Sequence, residues 1–150
     1  MERRFCNHCG RLYEGERCSC RRDKPPKTKS KVRENFYESK AWRKMSYNIR
    51  IRDFNMDRLQ LYFNKYKPEN RIEKMLFDYL IDSNGAGRNF TGRIIVHHIK
   101  EIESDWQNRL NEDNLISLNF HTHEYIHQLY FDFKEDVQAL LFKAVNADLP

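Results

Sequence analysis

Residues 94–127 read IIVHHIKEIESDWQNRLNEDNLISLNFHTHEYIH, and this stretch decides the fold. β-Branched residues dominate between Gly92 and Ile99, which predicts a strand that carries the pair His97–His98 near its end. A second short strand is predicted over residues 114–118 (NLISL), and residues 120–131 have the pattern of a helix. The sequence therefore predicts two strands followed by a helix, with histidines on the first strand and on the helix.

Five of the six histidines lie between residues 97 and 127, and their spacing predicts a metal site. His123 and His127 are four residues apart on the predicted helix, so their side chains share one face and can bind one ion. A strand-borne histidine adds a third ligand and leaves positions open for water and substrate, which suits catalysis. The second member of the His97–His98 pair can then act as a general base toward water. Each histidine taken alone is also compatible with a structural role.

The rest of the body is predicted to be mainly helical. Ser39 is placed to cap one helix, and a second amphipathic stretch covers residues 56–66. A third helix opens at Asn70 with a capping-box pattern, and the last helix follows a similar box formed by Asp132 and Glu135. The predicted order is α-α-α-β-β-α-α, so the expected fold class is α+β, mainly helical.

All four cysteines lie close together near the start of the chain, in the pattern C-x2-C, eight residues, C-x-C: Cys6, Cys9, Cys18 and Cys20. Four thiolates on two short loops match a tetrahedral zinc site, whereas disulfides are not expected in a reducing cytosol. A segment of about twenty residues cannot bury a core, so zinc would supply its folding free energy. The alternatives are a redox pair or unrelated thiols, and His8 is a further potential ligand. We expect a small zinc knuckle over residues 1–20.

Basic charge is concentrated in the first third of the chain. The net charge is +5, yet residues 1–50 carry +9 and residues 51–150 carry −4. Residues 21–33 read RRDKPPKTKSKVR, which predicts a flexible cationic linker over residues 21–34 and a body over residues 35–150. A solvated leader without a partner is the alternative. Basic side chains can neutralise phosphates whatever the base sequence, so the candidate DNA-binding residues are Arg21, Arg22, Lys24, Lys27, Lys29, Lys31 and Arg33.

Composition excludes several classes of protein. No run of 18 apolar residues occurs, so a membrane span is not expected. The first ten residues lack the apolar segment of a secretory signal. Five glycines and four prolines in 150 residues exclude collagen-like and low-complexity chains. A chain of this length can bury a hydrophobic core of its own.

The stretches VHHIKEIESDW, NLISL and HEYIH, in this order and spacing, resemble the HNH nucleases, the ββα-metal group, and phage-encoded members in particular. FYESKAWRK (residues 36–44) also resembles the segment that precedes the core in those phage proteins. The resemblance covers residues 36–53 and 92–130, and the core lies at about 92–130. It implies that a β-hairpin and a helix hold one divalent cation against the DNA backbone.

The resemblance also implies a role for each residue that matches the signature. His97 corresponds to the first metal ligand, and His123 and His127 correspond to the ligands on the helix. His98 corresponds to the general base that takes a proton from the attacking water. Asn114 corresponds to the residue whose side chain orients that base and steadies the loop. The cation is expected to be Mg²⁺, Mn²⁺, Ni²⁺ or Zn²⁺, since three histidines accept each of them.

The expected partners follow from the same resemblance: DNA, phage packaging proteins such as terminase, and no membrane. The expected location is the cytoplasm of a bacterial host. One departure from the family stands out, because many phage relatives carry two CxxC pairs that bind a structural zinc around the core. Those places are occupied here by Asp57 and Gln60, and by Asn119 and Thr122. We expect either apolar packing in place of that zinc or a looser fold.

Three functions are compatible with these features. A divalent-metal-dependent DNA endonuclease is the first. The second is a catalytically inactive module that binds nucleic acid or a protein partner on an HNH scaffold, an alternative motivated by the missing cysteine pairs. The third is a metalloprotein whose histidines only stabilise the fold.

Overall fold

The computed structural model describes residues 3–6, 12–15, 18, 29–85, 87 and 93–149. The fold is α+β, with five helices and two small antiparallel sheets among the described residues. The chain forms two compact units, Met1–Val32 and Arg33–Pro150. No helix in the described part of the chain has the length and apolar character needed to cross a bilayer.

The first unit contains a short antiparallel hairpin. Strands β1 (Arg3–Phe5) and β2 (Leu12–Glu14) pair with Arg3 opposite Glu14. Cys6 and Cys18, which follow β1 and β2, are both buried. The other two cysteines of the predicted zinc knuckle, Cys9 and Cys20, lie outside the described residues, as do four of the basic residues of the predicted linker: Arg21, Arg22, Lys24 and Lys27. The structural zinc therefore stays a prediction.

Helix α1 (Lys29–Tyr37) begins inside the segment predicted to be a flexible linker. The segment predicted as a linker over residues 21–34 is therefore helical from Lys29 onward. The physical reason is tertiary packing, because Phe36 is buried and its ring contacts Trp42 and His98, with centroids 5.3 and 5.9 Å apart. A composition rich in Lys does not reveal that the end of the segment carries such an anchor.

Three capped helices follow. They are α2 (Lys40–Arg52), α3 (Arg58–Lys65) and α4 (Arg71–Leu80). The predicted caps at Ser39 and Asn70 are confirmed, since their side chains accept hydrogen bonds from the backbone N–H groups of Trp42 and Glu73. Each cap satisfies one of the amides that a helix leaves unpaired at its start.

The central hairpin consists of β3 (Ile94–His98) and β4 (Leu115–Asn119), paired antiparallel with His97 opposite Ile116. Helix α5 (Phe120–Asn146) starts directly after β4. The two last helices predicted from the sequence form this one element. It is interrupted only at Phe133, whose backbone angles (φ −132°, ψ 30°) are not helical.

Hydrophobic cores lie on both faces of this hairpin. Ile116 and Leu118 belong to the larger core, which α3, α4 and α5 complete. Val96 and Leu115 face the smaller core, which contains Phe36, Trp42, Ile49 and Ile102. Because side chains alternate along a strand, His97 points toward α5 while His98 points toward Trp42.

The outer edge of β4, which faces away from β3, forms hydrogen bonds with side chains from the end of α2 and the start of α3. The Asp53 carboxylate accepts a hydrogen bond from Ser117 N at 2.9 Å. Asp57 accepts one from Asn119 N at 3.0 Å, and Arg52 donates to Leu115 O at 2.7 Å. These bonds satisfy backbone groups that a third strand would otherwise pair.

Asp57 links the two places where the resemblance implies pairs of zinc-binding cysteines that this chain lacks. Its two carboxylate oxygens accept hydrogen bonds from Gln60 N and Asn119 N, so it joins both of the places where CxxC pairs were expected. Burial raises the pKa of Asp57 above its ordinary value. A hydrogen-bonded carboxylate thus connects α3 to the start of α5, and it adds to the expected apolar packing, since Leu59 and Phe63 of α3 share the larger core with Ile126 of α5.

The Asp57→Asn variant should be destabilised by about 1–3 kcal/mol, because the two N–H donors bond to different carboxylate oxygens and asparagine replaces one of these acceptors with an NH2 group, which leaves one donor unpaired in the interior. Chemical denaturation would measure this loss as a shift in midpoint. Asp136→Asn is the matched control, since Asp136 is exposed on α5 and its replacement should change stability by less than about 0.5 kcal/mol. Equal stability of both variants would show that the Asp57 bonds do not hold the strand.

Candidate metal centre

Three of the four histidines predicted from the sequence meet beside the hairpin. His97 comes from β3, and His123 and His127 come from successive turns of α5. One ring nitrogen from each residue lies within 4.8 Å of the other two. The Nε2 atoms of His123 and His127 are 2.9 Å apart.

The geometry and charge of this cluster fit a divalent metal ion. Nitrogen ligands about 2.1 Å from a common ion lie about 3 Å apart when they are neighbours, which is close to the separation observed on α5. Burial lowers the pKa of His97 well below its ordinary value, and the other two imidazoles lower it further. Burial also lowers the pKa of His123. These shifts favour the neutral rings of His97 and His123, whose lone pairs are then available for metal binding.

His98 has a defined tautomer. Its Nε2 lies 2.9 Å from the carbonyl oxygen of Arg109, and a carbonyl only accepts, so Nε2 carries the proton. The lone pair is then on Nδ1, 3.4 Å from the Tyr37 hydroxyl. The Trp42 ring stacks on the imidazole with centroids 4.9 Å apart, and burial lowers the pKa of His98. The residue is held as a neutral imidazole with one basic nitrogen.

Asn114 holds the loop between the two strands. Its Oδ1 accepts from Lys100 N at 2.8 Å and its Nδ2 donates to Lys100 O at 3.1 Å, so one side chain binds both backbone groups of a residue just after β3. This geometry suits the expected role of steadying the loop. His98 is oriented by the carbonyl of Arg109, whereas Asn114 acts on the same loop through Lys100.

A cavity of about 520 Å³ brings the cluster and His98 together. Its walls also include Tyr37, Glu101, Ile102 and Glu103, which the sequence did not indicate as residues of the site. Glu103 pairs with Arg33 at 2.8 Å and Glu101 pairs with Lys134. No local spacing links Tyr37 or the Arg109 carbonyl to His98, so only the folded chain reveals them.

The predicted DNA-binding residues fall into three groups. Arg33 lies on α1 and lines the cavity. Lys31 lies on the same helix and is exposed, and Lys29 begins it. The remaining four basic residues lie outside the described part of the chain. Arg33 is thus the predicted DNA-binding residue that the described fold places beside the histidines.

The chain matches no protein-family model, no curated protein and no solved structure. Its function is therefore inferred from the residues and their geometry.

Replacing His97, His123 or His127 with Ala should weaken binding of one Zn²⁺ or Ni²⁺ ion about tenfold or more, because each variant removes one of three nitrogen ligands. Calorimetric titration of the chelator-treated protein measures this affinity. At a concentration 100 times Kd, the ion should stabilise the wild-type fold by about 2.7 kcal/mol. His121→Ala is the control, since His121 is exposed on the same helix and lies outside the cluster. A loss of the same size in the control would contradict a three-histidine site.

Proposed function

We propose that this chain is a divalent-metal-dependent endonuclease of the HNH type, phage-encoded, that hydrolyses phosphodiester bonds in DNA. The observation that carries this proposal is the shared cavity, whose walls include a three-histidine cluster and His98, which the Arg109 carbonyl holds with its proton on Nε2. The order β3, β4, α5 and the positions of the histidines on these elements also suit a ββα-metal core. DNA is the proposed substrate and partner.

Each residue has a defined task in this proposal. His97, His123 and His127 hold the ion, which when bound offsets negative charge on the phosphate and on the leaving oxygen. His98 Nδ1 takes a proton from the attacking water, and the Arg109 carbonyl stabilises the imidazolium that forms because it accepts from Nε2–H. Asn114 fixes the loop that presents this carbonyl. Arg33 contacts a substrate phosphate from the α1 side of the cavity.

The first unit is assigned a supporting role. Four thiolates would hold a structural zinc ion, and the basic residues after them would contact phosphates along the DNA. The proposed location is the bacterial cytoplasm, and the proposed partner beyond DNA is a packaging protein such as terminase. Both rest on the resemblance to phage nucleases.

The inactive DNA- or partner-binding module is the second candidate, and one observation favours it. Glu101 and Glu103 line the same cavity, and their two carboxylates would repel the negative charge of a phosphodiester that enters it for cleavage. Lys134 and Arg33 pair with these carboxylates and offset their charge. Plasmid incubation with Mg²⁺, Mn²⁺, Ni²⁺ or Zn²⁺, each with and without chelator, separates the two candidates, because the inactive module cuts under none of these conditions.

The His98→Gln variant should lose plasmid cleavage by about 10²–10⁴-fold while it keeps the metal affinity of the wild type. An amide side chain can still donate to the Arg109 carbonyl and fill most of the imidazole volume, but it offers no basic nitrogen. His98→Ala should lose activity to the same extent and also lose stability. His121→Ala is the active control. Undiminished cleavage by His98→Gln would remove His98 from the reaction.

Arg33→Gln should weaken binding to a DNA duplex and reduce the slope of log K against log salt by about 1, because one phosphate contact is lost. Binding is measured by fluorescence anisotropy in the presence of chelator, so cleavage does not interfere. Arg71→Gln removes the same charge from the exposed start of α4 and should leave the slope almost unchanged. Glu103→Gln should strengthen binding because it releases Arg33 from its ion pair. Identical slopes for both arginine variants would exclude Arg33 from the interface.

A further inference from the structure

Tyr130 makes two hydrogen bonds, one to His97 of the three-histidine cluster and one to a backbone carbonyl in the protein interior. It is buried on α5, one turn beyond His127. Its hydroxyl lies 2.8 Å from the carbonyl oxygen of Ile99 and 3.0 Å from Nε2 of His97. The sequence pattern gave no reason to single out this tyrosine among the aromatic residues of the helix.

The chemistry of the three groups fixes the direction of both bonds. A carbonyl oxygen only accepts, so the Tyr130 proton points to Ile99 O. The hydroxyl oxygen then has only lone pairs to offer His97, and the proton in that second bond comes from His97 Nε2–H. These two bonds therefore place a proton on Nε2 of His97.

Gln138 strengthens this arrangement. Its Nε2 donates to the same Ile99 carbonyl at 3.0 Å. The carbonyl oxygen has two lone pairs, and the two donors from α5 use both of them. Tyr130 and Gln138 lie on opposite sides of the break at Phe133, so both parts of α5 meet at one backbone group just after β3.

We propose that Tyr130 is a positioning residue for metal binding, which sets His97 in the tautomer that offers Nδ1 to the ion. This inference rests on the proposed metal-dependent function. A neutral imidazole has one lone pair, so a proton held on Nε2 leaves Nδ1 as the ligand atom. The ring is also fixed in orientation, because Tyr130 is itself fixed by Ile99. A hydrogen bond to the second nitrogen of a metal-binding histidine typically contributes about 10–100-fold in affinity.

The tautomer can be measured directly in the metal-free protein. Long-range ¹H–¹⁵N correlation spectra of uniformly ¹⁵N-labelled protein distinguish Nε2–H from Nδ1–H imidazoles. For wild-type His97 we expect the Nε2–H tautomer. In Tyr130→Phe the acceptor is lost, so we expect a mixture of tautomers and a Zn²⁺ affinity of the histidine cluster about tenfold lower or more. Thermal melting confirms that the variant is folded.

Tyr125→Phe is the matched control, because Tyr125 lies on the same helix and stacks on Tyr79. It should keep both the wild-type tautomer and the wild-type affinity. An Nδ1–H tautomer of His97 in the wild-type protein would overturn the proposal without use of any variant. Unchanged Zn²⁺ affinity in Tyr130→Phe would overturn it as well. A wild-type protein that shows the expected tautomer and binds Zn²⁺ but cuts no DNA would refute the proposed nuclease activity and leave the role of Tyr130 standing.

Discussion

Two buried carboxylates on the outer edge of β4 hold the part of the molecule from which the candidate site is built. Asp53 binds Ser117 N and Asp57 binds Asn119 N, so the strand has hydrogen bonds along both edges although the sheet has only two strands. β4 starts directly after Asn114, and it ends at Asn119, the residue that caps α5. A displacement of this strand would therefore move the loop on one side and the helical histidines on the other.

The two carboxylates are stabilised in different ways. Asp53 is fully buried but pairs with Arg58 and Arg52, and Arg58 also donates to carbonyls at the end of α5. One ion-pair network thus joins β4 to the far end of the helix whose first turns carry His123 and His127. No cation is paired with Asp57 among the described residues, and burial raises its pKa because hydrogen bonds from the Thr122 side chain and from backbone N–H groups offset that burial only in part. Removing one partner of a buried charged group destabilises the fold by more than the intact pair contributes to its stability.

The sequence predicted the elements whose signals are local. β-Branched residues predicted the first strand of the hairpin, and Ser39 and Asn70 predicted where two helices begin. A spacing of four residues predicted that His123 and His127 share one face of a helix. Contacts between distant residues could not be predicted. An aspartate that caps a short helix has the same local pattern whether its carboxylate meets water or the backbone of a strand sixty residues later, as Asp57 does. Tyr37, Tyr130 and the Arg109 carbonyl reach the histidines only through tertiary packing.

The contrast between the two edges of the hairpin explains how adjacent histidines can serve one site. His97 and His98 point to opposite faces of β3, yet both line the same cavity, together with Ile95 and Val96. Four consecutive residues of a strand can contact one space only if that space runs along the edge of the strand. In the described part of the chain β3 pairs with β4 alone, so its other edge is available. The buried carboxylates close the β4 edge, and the open β3 edge lets the three-histidine cluster on the α5 side and His98 on the α1 side face a common cavity.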